Sequence, residues 1–185
     1  MLPARLSRFD GLSIALIGIA ALAWITMPEG PATGWLLFAA GCVNLVRLAR
    51  WYGWLTWREP LVLMLHVGYG WLALSLIVLG AAILGVGLQP ADAIHALTIG
   101  AVGAMTLAVM TRASLGHTGR ERHAGPATVA MYLLVNLGAL VRVFGSTADL
   151  PAHFVLGLAA ACWSGAYLLF AAIYGPFLFR PSLDE

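Results

Sequence analysis

Five histidines and ten arginines carry most of the chemistry available to this chain of 185 residues. His95, Arg112 and His117 punctuate one apolar stretch rich in glycine and alanine, and Arg120 follows it. His66 interrupts a second apolar run, Leu65-His66-Val67-Gly68-Tyr69-Gly70-Trp71. A neutral imidazole offers a lone pair to a transition metal or to haem iron, and a guanidinium pairs with carboxylates such as haem propionates. These residue types at the ends of apolar segments point to a cofactor held between helices.

The segments that must position them are membrane spans. Apolar residues make up 61% of the chain, charged residues only 10%, and the mean hydropathy is +0.89, far from the composition of soluble domains. Six apolar stretches are predicted at about 11 to 27, 34 to 51, 60 to 87, 92 to 111, 126 to 144 and 151 to 178. Each can cross a hydrocarbon layer of roughly 30 Å as a helix. The breaks Pro28-Glu29-Gly30-Pro31, Gln89-Pro90-Ala91-Asp92, Gly125-Pro126 and Ser146-Thr147-Ala148-Asp149 favour chain reversal. The fold class expected is all-α, one six-helix transmembrane domain over residues 1–185 with antiparallel neighbours.

Charge gives the orientation. Alternating spans place Arg5, Arg8, Arg47, Arg50, Arg58, Arg112, Arg120, Arg122 and Arg180 on one side and Arg142 alone on the other. Arginine-rich short loops stay cytoplasmic, so both termini are expected in the cytoplasm of a bacterial plasma membrane. No small-x-small cleavage site stands out between Pro28 and Gly34, so the first span is expected to be retained.

Several function classes recede. No phosphate-cradling glycine loop, catalytic carboxylate pair or Ser-His-Asp order is present, and the eight acidic residues fall near span ends. A net charge of +2 spread along one face fits membrane orientation and gives no support to nucleic-acid binding. Cys42 and Cys162 read as buried apolar thiols, Met105, Met110 and Asn136 as packing residues. Trp51, Trp54 and Trp57 read as headgroup-level anchors beside Arg50 and Arg58. Ala96, Gly100, Ala104 and Ala108 recur every fourth residue, a stripe that admits a close helix backbone.

Ionisable groups within a membrane face the bundle interior and take a partner or cofactor. His66 lies roughly 9 Å into its helix from Pro60, whereas His95 lies about 5 Å in from Asp92 at the opposite surface. Two clusters follow. One comprises His66, Tyr69, Arg112, His117 and Arg120. The other comprises His95, Arg142 and His153, with Asp92 or Asp149 as acceptors behind the imidazoles. Either offers imidazole, an apolar slot and basic partners for haem b. His66 and His95 differ by roughly 15 Å in depth across a 30 Å layer, so the easier pairings are His66 with His117 and His95 with His153. His123, in a charged loop, reads as solvated.

The run His-Ala-Leu-Thr-x-Gly-Ala-x-Gly-x-Met-Thr from His95, with Thr-Arg-x-Ser-Leu-Gly-His-Thr-Gly-Arg ending at Arg120, resembles the signature of the NnrS family. The segment Leu65 to Trp71 and the ending Tyr174-Gly175-Pro176-Phe177-Leu178 are similar to further family segments. The resemblance implies a bacterial inner-membrane protein associated with haem and copper and with resistance to nitric oxide and nitrosative stress. It implies His66, His95 and His117 as the motif histidines, with Arg112 and Arg120 as matching basic residues. His153 and Arg142 rest on depth alone. It also implies that this chain corresponds to the C-terminal half of a typical member, so a second copy or a separate partner would supply what the preceding half carries.

The expectation is then a b-type haem with His95 as first iron ligand and His66 or His117 next, binding or converting nitric oxide. Two alternatives stand beside it: a b-type cytochrome-like electron-transfer subunit, and a metal-free transporter or scaffold. The mid-span polar residues Asn44, Thr98, Thr106 and Asn136 are too sparse to insist on transport.

Overall fold

The computed structural model describes residues 7–148 and 150–183. Arg5 and Asp149, named above for topology and as an acceptor, lie outside the described residues. Six helices are long and apolar enough to cross a membrane: α1 (Arg8–Thr26), α2 (Pro31–Ala49), α3 (Pro60–Ile83), α4 (Pro90–His117), α5 (Pro126–Phe144) and α6 (Ala152–Leu178). No strand occurs among the described residues. The chain is an all-α, multi-pass membrane protein, the architecture in which every segment can satisfy its own backbone inside lipid.

Local sequence sets the helix ends. Pro31, Pro60, Pro90 and Pro126 each open their helix at the first turn, where a fixed φ helps and the missing N–H costs nothing. At the start of α1 the Asp10 carboxylate accepts from the Ser7 N–H and hydroxyl, both at 2.8 Å. α4 stops at Gly119, whose φ of +65° suits glycine, while the Arg120 N–H donates to the Leu115 carbonyl at 2.9 Å. That is a Schellman closure, and it carries α4 through His117, so this histidine occupies the last helical turn.

α4 is not uniform. Between Pro90–His95 and Ala104–His117 the residues Ala96–Gly103 adopt π-helical geometry. A π segment widens the turn and is frequent at functional sites. Here it receives Trp71 of α3: a Cβ built on Gly100 would lie 2.6 Å from the indole ring. The Trp71 Nε1–H donates to Asn136 Oδ1 of α5 at 2.8 Å, and Asn136 Nδ2 donates to the Tyr132 carbonyl at 2.7 Å. Asn136, expected as packing, is a polar bridge between α3 and α5.

Small residues let the backbones approach, as membrane bundles require. A Cβ on Gly41 would fall 2.7 Å from the Ala73 carbonyl oxygen, and one on Gly80 would fall 2.6 Å from that of Gly34, so α2 and α3 touch through glycine. Ala96, Gly100, Ala104 and Ala108 are all buried, in keeping with close packing of α4. Large apolar side chains point outward instead: Leu12, Leu22, Leu133 and Leu168 are each at least 62% exposed and meet lipid. α1 packs on α2, α2 on α3, α3 on α4, and α5 on α6 and on the π segment. One end of this bundle carries the start of α1, the end of α2, the start of α3 and the end of α4. It is the arginine-rich end.

Candidate functional site

The arginine-rich end holds a buried polar network that joins three helices. The Arg47 Nε–H of α2 donates to Asp10 Oδ1 of α1 at 3.1 Å, and its Nη1–H donates to the Tyr69 hydroxyl of α3 at 2.6 Å. That hydroxyl in turn donates to Asn44 Oδ1 at 2.5 Å. Asn44 Nδ2 closes the network on the carbonyls of Ala40, 2.8 Å, and Ser13, 3.2 Å. Asp10, Asn44 and Arg47 are buried, and charges at such a depth persist only when paired and hydrogen-bonded.

Trp51 covers this network. Its ring lies 4.8 Å from the Arg47 guanidinium, 4.7 Å from the Tyr69 ring and 6.1 Å from the His66 ring. Expected as a headgroup anchor, Trp51 is half-buried and turns inward, because the left-handed Tyr52 (φ 53°) and the short helix Gly53–Thr56 fold the loop back on α3. Gly53 is where that loop meets His66: a Cβ there would lie 2.5 Å from His66 Cδ2.

His66 is half-buried, and its Nδ1 lies 3.0 Å from the Val62 carbonyl oxygen. A carbonyl can only accept, so Nδ1 is the donor, and in the neutral ring Nε2 is the nitrogen with the lone pair. This is the arrangement in which one ring nitrogen is fixed by the protein and the other is free to ligate. The ring lines a cleft of about 380 Å³ with Leu48, Leu63, Val67, Gly53 and Trp54, an almost wholly apolar wall. Leu45, Ala49 and Trp54 on its rim are exposed, so the cleft opens at the surface of the bundle.

At the opposite end the Arg142 Nη1–H donates to Asp92 Oδ1 at 2.6 Å, and the Ser146 hydroxyl donates to Asp92 Oδ2 at 2.9 Å. The anomalous arginine is thus the counter-ion of an acid at the start of α4. His95 sits one turn after Asp92, half-buried at the start of the π segment, and makes no hydrogen bond within the described residues. A cavity of about 450 Å³ lies beside the ion pair, lined by Asp92, Arg142, Ser146, Leu150 and apolar residues of α6; neither His95 nor His153 lines it. His153 is exposed.

The sequence-predicted residues are therefore dispersed over several places. Tyr69 and His66 share the arginine-rich end, but His117 is exposed and lines a different cavity, with Arg112 and Leu65. Arg120 lies 4.4 Å over the Phe177 ring and donates to the Thr118 carbonyl at 3.1 Å. Together with the bond from the Leu183 N–H to the Thr118 carbonyl, it ties the end of α4 to the end of α6. Among the described residues no three His, Cys, Asp or Glu side chains converge as a metal-binding group. From sequence, Asp10 was not singled out, Arg47 was read only for topology and Asn44 only as a sparse mid-span polar residue. The signal was there: an acid three residues after Ser7 at a helix start, and an arginine set inside a span rather than after it.

The family model described as NnrS protein matches residues 1–182, which is essentially the whole chain. No curated protein and no solved structure matches it. Two of the segments that suggested the resemblance, those ending at Arg120 and at Leu178, meet through the contact of Arg120 with Phe177. The chain belongs to the NnrS family.

Proposed function

We propose that this chain is a haem-binding protein of the bacterial inner membrane that acts in the response to nitric oxide and nitrosative stress, with His66 as its iron ligand. Family membership supports the nitric oxide setting. The excess of arginines at one end of the bundle among the described residues, with Arg142 at the other, supports an orientation with the arginine-rich end and both termini in the cytoplasm.

The observation that carries the haem reading is His66 itself. Its Nδ1–H is engaged by Val62 and its ring lines an apolar cleft, which fits the needs of a haem edge: a neutral imidazole lone pair and low polarity around it. His95 has no orienting hydrogen bond within the described residues, so His66 takes first place and His95 second. His66 would hold the iron, Leu48 and Val67 would exclude water from it, and Trp51 would brace the imidazole edge. Bound haem supplies an iron centre able to take nitric oxide or to exchange an electron. The open rim at Leu45, Ala49 and Trp54 favours completion of the pocket by a second copy or a partner chain. Copper, implied by the resemblance, would also need donors beyond this chain's described His, Cys, Asp and Glu, because no three of them converge.

The test is the visible spectrum and iron content of the detergent-purified chain, expressed with ample haem. The expected result is a Soret band that His66→Ala abolishes and that His95→Ala and His117→Ala retain. A band indifferent to His66→Ala overturns the ligand assignment, and an iron-free, colourless wild-type protein overturns the haem reading.

A further inference from the structure

Two adjoining cavities at the arginine-rich end, between the start of α3 and the end of α4, share Arg112 and Arg122 as walls. The larger, about 400 Å³, is apolar along Leu65, Val109 and Ala113 and basic at its rim. The smaller, about 260 Å³, adds Arg58 and His123 and a single carboxylate, Glu59.

Among the described residues these guanidinium groups have no protein counter-ion. The two ion pairs among the described residues are Asp10–Arg47 and Asp92–Arg142. Arg58, Arg112 and Arg122 make neither a hydrogen bond nor an ion pair there, and Arg58 rests only against the Trp57 ring. Arg112 is half-buried, and burying part of an unpaired guanidinium is costly unless an anion answers it. Gly116 leaves the space the second arginine uses: a Cβ there would lie 3.4 Å from Arg122 Nε and Nη2, so the guanidinium lies across the α4 backbone.

We propose that the Arg112–Arg122 cavity binds a phosphate group, that of an anionic phospholipid. Two planar guanidinium forks match the oxygens of a phosphate, and basic pockets between transmembrane helices take such headgroups. The vertical order of the lining favours a lipid over a free ion, because the apolar wall of Leu65, Val109 and Ala113 would run beside an acyl chain beneath the basic rim. Neither His66 nor any wall of its cleft lines this cavity, so the His66 haem reading and the phosphate reading fail independently.

The experiment is native mass spectrometry of the 185-residue chain, delipidated in detergent and titrated separately with phosphatidylglycerol, phosphatidylcholine and inorganic phosphate. Expected is selective retention of phosphatidylglycerol that weakens about tenfold or more in Arg112→Gln/Arg122→Gln, since each cation contributes to headgroup attraction. Arg8→Gln/Arg180→Gln, an equal loss of charge at exposed positions of the same end, should leave it unchanged. Saturable binding of inorganic phosphate without lipid selectivity, lost in the same double variant, would identify the free ion as the source of the phosphate. Equal phosphatidylglycerol binding by wild type and both double variants would overturn the proposal. Should the Arg112/Arg122 variant fail to fold, photoreactive phosphatidylglycerol on the wild type decides: labelling within residues 109–122 supports the site, and labelling confined elsewhere overturns it.

Discussion

Tyr69 is the residue on which the arginine-rich end turns, since its hydroxyl accepts from Arg47 and donates to Asn44 within one buried network. Removing that oxygen strands a guanidinium donor and an amide acceptor away from water. Interhelical hydrogen bonds in membranes average about 0.6 kcal/mol and reach about 1.7, so Tyr69→Phe, which removes two, is expected to lower stability by about 1–3 kcal/mol. Urea or SDS unfolding of the detergent-purified protein reads this, and a wild-type midpoint would refute the network's stabilising role. His66 belongs to the same scale. Its histidine identity was legible in the sequence, but its tautomer was not, because the Val62 carbonyl becomes its partner only once a helical turn brings residue 62 beneath residue 66. The difference between His66 and His95 has the same origin. Both are histidines in apolar helices, and only the neighbouring elements give one of them a cleft.

At the scale of elements, glycine discriminates helix contacts from lipid contacts. Gly41 faces the α3 backbone at a separation that admits no Cβ, whereas nothing lies within 4 Å of a Cβ on Gly18. Gly41→Ala is therefore expected to destabilise by about 1–3 kcal/mol through overpacking. Gly18→Ala should be neutral or stabilising by up to about 1 kcal/mol, since alanine is the better helix former. Equal effects of the two substitutions in the same unfolding assay would contradict the α2–α3 contact. The small-residue stripe of α4 could be read in advance as a packing surface. The π-helical turn Ala96–Gly103 could not, and the Trp71 ring seated against its Gly100 comes from another helix, which the local sequence does not report. The same holds for Trp51, whose type suits a headgroup anchor but whose neighbours in space are Arg47, Tyr69 and His66.

At the scale of the molecule the proposed orientation makes a direct demand. In a background with Cys42 and Cys162 replaced by serine, a cysteine at Thr147 should react with a membrane-impermeant thiol reagent applied to spheroplasts. One at Glu121 should react only after the membrane is opened. The reverse pattern would invert the topology and with it the cytoplasmic placement of the Arg112–Arg122 cavity. Both positions are exposed in the fold, so accessibility in this assay reports the side of the membrane rather than burial.

Six apolar stretches, the proline starts of four of them and the one-sided arginines were determined by the sequence alone, because a segment in hydrocarbon must satisfy its backbone by itself and length and hydropathy report that need locally. The inward face of each helix was not. α1 and α3 are apolar nearly all the way round, so no amphipathic stripe marks the side that meets another helix. Asp10 and Arg47, 37 residues apart, and Asp92 and Arg142, 50 apart, read separately as charges near span ends. Only the tertiary structure pairs them, and among the described residues Arg112 and Arg122 stand outside both pairs.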